Sequence, residues 1–168
     1  MGAYKDIVVV NEHDEVIGAM PLFAAIEQNM YRRSVRVFVE NAVGQLLIQR
    51  RGAQVIAPLL LDVSVAGHVD EGETYEEAAL RELKEELSIS GLPLRVIILS
   101  YQSHQYFSGV FKVVISDDVS CTPNQDEVTS VHWYYPAEID TAVTTAPADF
   151  TFEFVNLWQN LRDKIITS

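Results

Sequence analysis

Two apolar-rich runs, "SVRVFVE" over 34–40 and "QLLIQRR" over 45–51, stand on either side of the four residues "NAVG". A connection that short joins antiparallel strands, because a parallel return needs a crossover of a dozen or so residues. The chain is thereby committed to a sheet containing antiparallel pairs. A second hairpin is expected ahead of it, "DIVVV" and "VIGAM" joined by "NEHDE", and "PLFAAIEQN" between the two hairpins reads as a short helix opened by Pro21. After Arg51 the stretch "GAQVIAPLLLDVSVAGH" has no clean period, and its Gly and Pro suggest a loop leading into a short buried strand.

The longest regular element expected is a helix from Tyr75 to Leu87, preceded by a capping box in which Thr74 caps and Glu77 reaches back. Strands at "LRVIILSYQSH" and "YFSGVFKVVIS" follow, then a polar loop "DDVSCTPNQDE", a strand "VTSVHWYY" and a helix start at "PAEI". In the closing helix "FEFVNLWQNLRDKI", Phe154, Trp158, Leu161 and Ile165 form one stripe suited to core packing. The expected fold class is α/β, a mixed central sheet flanked by helices, with an N-terminal β-hairpin. No repeat or linker divides the chain, so 1–168 reads as one domain, with 1–30 as a hairpin-and-helix extension of it.

Within the long helix, "RELKEEL" gathers Glu82, Glu85 and Glu86 on one sector in a chain whose formal net charge is already −12. Like charges at i, i+3 and i+4 cost about 0.2–0.5 kcal/mol per pair in an isolated helix. On a helical wheel Leu80, Leu83 and Leu87 fall opposite, so the leucines are expected to face the core and the acids a cleft, while Lys84 points elsewhere. Clustered carboxylates suit hard divalent cations such as Mg²⁺ or Mn²⁺. Taken alone, the same run also fits a solvated helix face.

With 48% hydrophobic and 21% charged residues the composition is that of a soluble globular protein, and the length suffices for a core without disulfides. Cys121 is the single cysteine, which leaves no internal disulfide and points to a reducing, cytoplasmic setting. No signal peptide is read at the start, and "VIAPLLLDVSVAG" is too short to span a bilayer, so no membrane partner is expected. Twelve basic against twenty-four acidic residues argue against nucleic-acid binding, and an anionic substrate would need a cation to approach.

The stretch "GHVDEGETYEEAALRELKEELSI" resembles the Nudix box, with Gly67, Glu73, Arg81, Glu82, Leu83, Glu85, Glu86 and Ile89 at the specified positions. Ser88 stands where that pattern has glycine, a position suited to a left-handed helix cap. The order of elements around the box is also similar to the Nudix α/β/α sandwich. The resemblance implies a divalent-metal hydrolase, Mg²⁺ or Mn²⁺, that cleaves the diphosphate of a small molecule such as a nucleoside diphosphate linked to a group X. It implies that Glu82, Glu85 and Glu86 hold metal together with the carbonyl of Ala66, that Glu73 binds metal through water or supports the loop, and that Arg81 orients the glutamates. Gly67 would allow close approach of backbone to metal. The general base is Glu82 or an acid of "NQDEV", Glu127 or Asp126, with Glu127 preferred. Arg50 and Arg51 end a strand where relatives place a substrate-contacting arginine. A homodimer is expected because similar proteins commonly form one.

The N-terminal hairpin, "LLIQRR" and "AGH" look like the Nudix branch that includes type 1 isopentenyl diphosphate isomerase, whose pattern has a cysteine where this chain has Ala66. A methyl group transfers no proton, so hydrolysis is favoured over isomerisation, and a non-catalytic nucleotide- or partner-binding module is the third alternative. His68, His104 and His132 lack zinc-site spacing and are expected to be structural; His13 falls in a turn.

Overall fold

The structure, a computed structural model, describes residues 5–168, so the first four residues of the expected 1–30 extension lie outside the described residues. Strands β1 (Ile7–Val10) and β2 (Val16–Met20) form the first hairpin, and helix α1 (Leu22–Glu27) follows with Pro21 at its N-cap. Asn11 sets the turn, because its Oδ1 accepts from the amides of His13 (2.9 Å) and Glu15 (3.0 Å). Asn41 repeats the device in the next connection, where its Oδ1 accepts from Val43 and Gln45.

Strands β3 (Tyr31–Glu40) and β4 (Leu46–Arg51) flank that second turn, but they pair only at Glu40↔Leu46 and then splay apart. The expected hairpin is thus a hinge between two parts of the sheet. β3 pairs in parallel with β8 (Tyr106–Val114) and antiparallel with β6 (Val65–His68), whereas β4 pairs antiparallel with β5 (Leu61–Asp62) and β9 (Val128–Tyr134). β7 (Arg95–Ser103) closes the far edge against β8. β3 is buried over most of its length, so each of its edges is filled by a strand distant in sequence.

Alternation along β3 builds a core on each face. Val35, Val37 and Val39 pack with Leu83 and Leu87 of α2 (Tyr75–Leu87). On the opposite face Phe38 meets Ile139 and Val143 of α3 (Pro136–Thr145) and Phe154, Trp158, Leu161 and Ile165 of α4 (Phe152–Thr167), the stripe expected from sequence. The result is an α/β/α sandwich around a mixed sheet.

Candidate functional site

Helix α2 is fixed at both ends. Thr74 accepts from the amide of Glu77 (3.2 Å), and the Glu77 carboxylate accepts from the amide of Thr74 (2.8 Å). Its last carbonyls are met by the loop before β9, where the amide of Thr122 donates to Leu87 (2.9 Å) and that of Asn124 to Glu86 (2.8 Å). The buried arc of the helix runs through Ala78, Ala79, Glu82, Leu83, Glu86 and Leu87, while Leu80 is exposed. This departs from the wheel based on leucines: the arc is rotated toward the acids, so Glu82 and Glu86 lie inside and only Glu85 of the triplet is exposed. Two alanines and the bare backbone of Gly67 let the helix come this close. A Cβ placed on Gly67 would collide with the Glu82 carboxylate.

Arg81 organises the acids. Its Nε and Nη2 grip both oxygens of Glu73 (2.8 and 2.9 Å), Nη1 donates to Glu82 (2.7 Å) and Glu85 (3.1 Å), and Nη2 also donates to the carbonyl of His68 (2.9 Å). Glu86 is held separately, accepting from Gln49 Nε2 at 3.0 Å. Among the described residues nothing donates to Glu82 Oε2 or Glu86 Oε1, so each buried carboxylate keeps one uncommitted oxygen. Among the described residues no three acidic, His or Cys side chains surround one point as ligands.

A sequence profile of the NUDIX domain matches residues 30–156. The chain belongs to the Nudix family. An uncharacterized Nudix hydrolase of Nostoc sp. is 39% identical over 136 residues, covering 78% of this chain and 80% of that protein. The crystal structure of DR0079 from Deinococcus radiodurans superposes with a TM-score of 0.81 at 28% identity, covering 94% of this chain and 99% of that one. An isopentenyl-diphosphate Delta-isomerase of Nocardia farcinica is 28% identical over 153 residues, 86% of this chain and 87% of that protein, which agrees with the branch suggested by the N-terminal hairpin. Nudix hydrolases act on pyrophosphate bonds of small molecules, generally with divalent metal ions, and this chain is a hydrolase acting on pyrophosphate bonds.

Electrostatics around the Nudix helix follow from burial. Glu82 is pushed up to about 7, by burial first, with the charge and hydrogen bond of Arg81 opposing and Glu85 and Glu127 reinforcing. Crowding by neighbouring carboxylates is the smaller effect. Glu86 is raised well above the usual carboxylate range by burial and by Glu82 and Glu127, against the pull of Gln49 and Arg51. Burial alone would raise Glu73, but its bonds to Arg81 and the Asp70 amide bring it below the ordinary value. His68 is lowered to about 3, by burial first and then by Arg36, Arg32, Arg51 and Arg81, so it is neutral.

Of the other residues singled out, Glu127 is brought to the Nudix helix by the loop that caps it. Asn124 Nδ2 donates to its Oε1 (3.1 Å), and the amide of Gly52 donates to its carbonyl (2.7 Å), which ties it to the end of β4. Burial, Glu85 and Asp126 raise its affinity for a proton. Asp126 itself is exposed. Arg51 lies near enough to Glu86 and Glu127 to affect both, with Nε on the carbonyl of Ile56 (2.9 Å) and Nη1 on Asp62 (3.4 Å). Arg50 is exposed and donates to the carbonyl of Leu59 (2.8 Å); among the described residues no ion pair joins it to the acids. Ala66 is half-buried on β6 beside Gly67.

Gln49, Asn124 and Asp70, which approaches Arg81 Nε at 3.7 Å, were not singled out from sequence. Gln49 had a signal, a polar side chain inside the apolar run "LLIQ". Asn124 had none, since its role depends on where the loop lands.

Ser88, in place of the Nudix-box glycine, adopts the left-handed conformation at φ 59° and ψ 25° and donates from its amide to Lys84 at 3.1 Å. A Cβ is strained there, so Ser88→Gly is expected to stabilise the protein by about 0.5–1 kcal/mol. Urea unfolding checks this; a midpoint shift to lower denaturant would refute it.

Proposed function

We propose that this hydrolase is divalent-metal-dependent and cleaves the diphosphate linkage of a nucleoside diphosphate bound to a group X, or of a similar organic diphosphate. The observation that carries the reading is a pair of buried carboxylates, Glu82 and Glu86, each with one free oxygen and each held well above its ordinary proton affinity. That donor set fits a hard cation, which needs only one or two carboxylates alongside water and substrate phosphates, so a three-acid cage is not required. Glu82, Glu85 and Glu86 would hold the metal with the Ala66 carbonyl, and Glu73 would support them through Arg81. Bound metal would polarise the phosphoryl group and raise the acidity of water.

The chain's own groups supply the remainder. Glu82 or Glu127 receives the proton of the attacking water, and a value near neutrality suits that task. Gly67 keeps the floor of the cleft open. Arg51, half-buried and near Glu86 and Glu127, is the better substrate contact of the two arginines, because Arg50 is tied to the outer loop. Ala66 stands where the isomerase pattern has cysteine, which weighs against this chain sharing the isomerase activity that its Nocardia relative is named for. Residues 1–168 act in this reading as one catalytic domain, cytoplasmic and homodimeric as expected from sequence, with Mg²⁺ or Mn²⁺ as metal.

Phosphate or nucleotide release from a panel of diphosphate compounds tests the proposal, with activity expected in Mg²⁺ and none in EDTA. A nucleotide that raises the melting temperature without being cleaved would favour a binding module instead.

Stability gives an independent check. In the folded protein Glu82 holds its proton up to about pH 7, against about 4.5 in the unfolded chain. Folding therefore takes up a proton between these values. The stabilisation is present below about pH 4.5 and is lost as pH rises through 7, by up to about 3 kcal/mol for this group. In EDTA, stability is expected to fall from pH 5 to 7.5, and millimolar Mg²⁺ should flatten the fall. Melting curves that superpose with and without metal at pH 7.5 would contradict it.

A further inference from the structure

On β3 the side chains of Arg32, Ser34 and Arg36 alternate with the valines that face α2, so they lie on the opposite face of the sheet. Register places Ser34 beside His68 of β6 and Arg32 beside Tyr106 of β8, and Tyr106 beside Ser103 of β7. Farther along this face Phe38 and Val110 are packed under α4. At the Arg32 end His68 and Tyr106 stay half-exposed, leaving a polar floor open at one end.

Arg32 is 6% exposed, and among the described residues no carboxylate pairs with it. Its Nη1 donates to the carbonyls of Met30 (3.1 Å) and Ala25 (3.5 Å), and its guanidinium carbon stands 4.7 Å from the centre of the Tyr106 ring. The other buried or half-buried arginines have acids: Arg33 with Asp14, Arg36 and Arg51 with Asp62, Arg81 with Glu73 and Glu82, and Arg162 with Asp140. A ring face and two carbonyls supply partial charges, whereas a guanidinium withdrawn from water calls for a full counter-charge.

A second observation points to the same place. Among the described residues, the buried side-chain nitrogen and oxygen atoms that lack any partner are Arg32 Nε, His68 Nε2, Ser103 Oγ and Gln105 Oε1. Arg32, His68 and Ser103 share this floor through the strand register, and Gln105 adjoins it, its carbonyl accepting from the amide of Arg32 at 2.9 Å. Buried polar atoms rarely lack a protein partner, so a cluster of them marks a place where a group from outside the chain completes the bonding. Arg32 Nε and Ser103 Oγ are donors, and His68 becomes one in the tautomer protonated at Nε2.

We propose that Arg32, His68 and Ser103 form a second anion-binding subsite, on the sheet face opposite α2, which takes a phosphate or carboxylate group of a ligand. The subsite stands apart from the acid cluster yet begins beside it, since His68 follows Gly67 and one strand residue advances about 3.3 Å. Resting on the hydrolase reading, the ligand is the substrate, and its group X carries an anionic group besides the scissile diphosphate. A chain of net charge −12 gains from such a site, because a fixed guanidinium offsets the repulsion of a multiply charged ligand.

Inorganic phosphate is the probe, titrated into the full chain in EDTA so that no metal draws it to the acids. We expect a saturable shift of the His68 ring resonances, assigned with His68→Gln, and a melting temperature higher by about 3–5 °C once phosphate exceeds its dissociation constant tenfold. Both responses should persist in Glu86→Gln, vanish in Arg32→Met, and need at least tenfold more phosphate in Arg32→Lys. No saturable shift in the wild type, or an undiminished one in Arg32→Met, overturns the proposal. Should Arg32→Met not fold, the wild-type and Arg32→Lys titrations decide it.

Turnover of paired diphosphates, X anionic or neutral, then identifies the source. A KM raised at least tenfold by Arg32→Lys for the anionic member alone supports the substrate's own group. An unchanged KM for both, with the phosphate titration still positive, supports free phosphate as the occupant of the same subsite, and an equal rise for both overturns the assignment to X. If neither is cleaved in Mg²⁺, the hydrolase reading fails and the titration still judges the subsite.

Discussion

Glu86→Gln is expected to lower turnover at least about 10³-fold, roughly 4 kcal/mol of transition-state stabilisation, while leaving the fold intact. The substitution is nearly isosteric, and the amide oxygen still accepts from Gln49 Nε2, so the bond that positions the side chain survives. What disappears is a negative charge in a buried place. In the metal-free protein that charge is a liability, which is why burial, Glu82 and Glu127 hold Glu86 far above the usual carboxylate range. Glu86→Gln should therefore melt at the same temperature as wild type or higher in EDTA, and lose most of the stabilisation that Mg²⁺ confers. Steady-state rates on the best-cleaved diphosphate, with melting curves in both conditions, report the two effects together. A rate within tenfold of wild type would show that the buried acid does not serve the reaction.

The two halves of that prediction were unequally legible in the chain. The spacing of Gly67, Glu73, Arg81, Glu82, Glu85 and Glu86 is fixed by covalent sequence and helical geometry, so a pattern of residues is enough to locate the acid helix. Burial is another matter. Glutamates are almost never buried unless paired, so a wheel built on leucines turned the acids outward. The helix rotates because Gly67 and the two alanines allow a closer approach on that side, and closeness is a property of the neighbouring strand. The same distinction separates Arg51 from Arg50. Adjacent in sequence and alike in chemistry, they sit on successive positions at the end of β4, where side chains alternate between faces, so one comes near the acids and the other stays on the outer loop.

The fold shows a parallel limit. Both hairpin turns were evident from their Asn-led connections, and the closing helix from its apolar stripe. The splaying of β3 from β4 was not, because it depends on β8 and β9, strands more than 60 residues away that claim the two edges. Arg32 belongs to the same class. As a residue of "YRRSVRV" it has nothing to distinguish it from Arg33, yet Arg33 finds Asp14 at 2.7 Å and Arg32 finds no acid among the described residues.

Arg81→Met is expected to cost about 2–4 kcal/mol of stability, about 5–15 °C in melting temperature for a chain of this size. Methionine keeps most of the apolar stem, so the loss comes from the guanidinium, which now satisfies three carboxylates and one carbonyl. Glu82 and Glu73 are largely buried and bear most of the cost, while Glu85, with half its side chain in water, is screened and contributes little. Two responses separate this hub from an ordinary surface pair. Arg81→Lys should restore only part of the stability, since a point charge cannot grip both oxygens of Glu73 and reach Glu82 at once. In a double-mutant cycle, Arg81→Met with Glu73→Gln should lose about 1–2 kcal/mol less than the sum of the single changes, because the two act through one shared contact. Urea unfolding measures all four proteins. Additive losses, or a single-mutant loss below about 0.5 kcal/mol, would mean that the acids are positioned by packing of α2 against β6, with Arg81 merely following them.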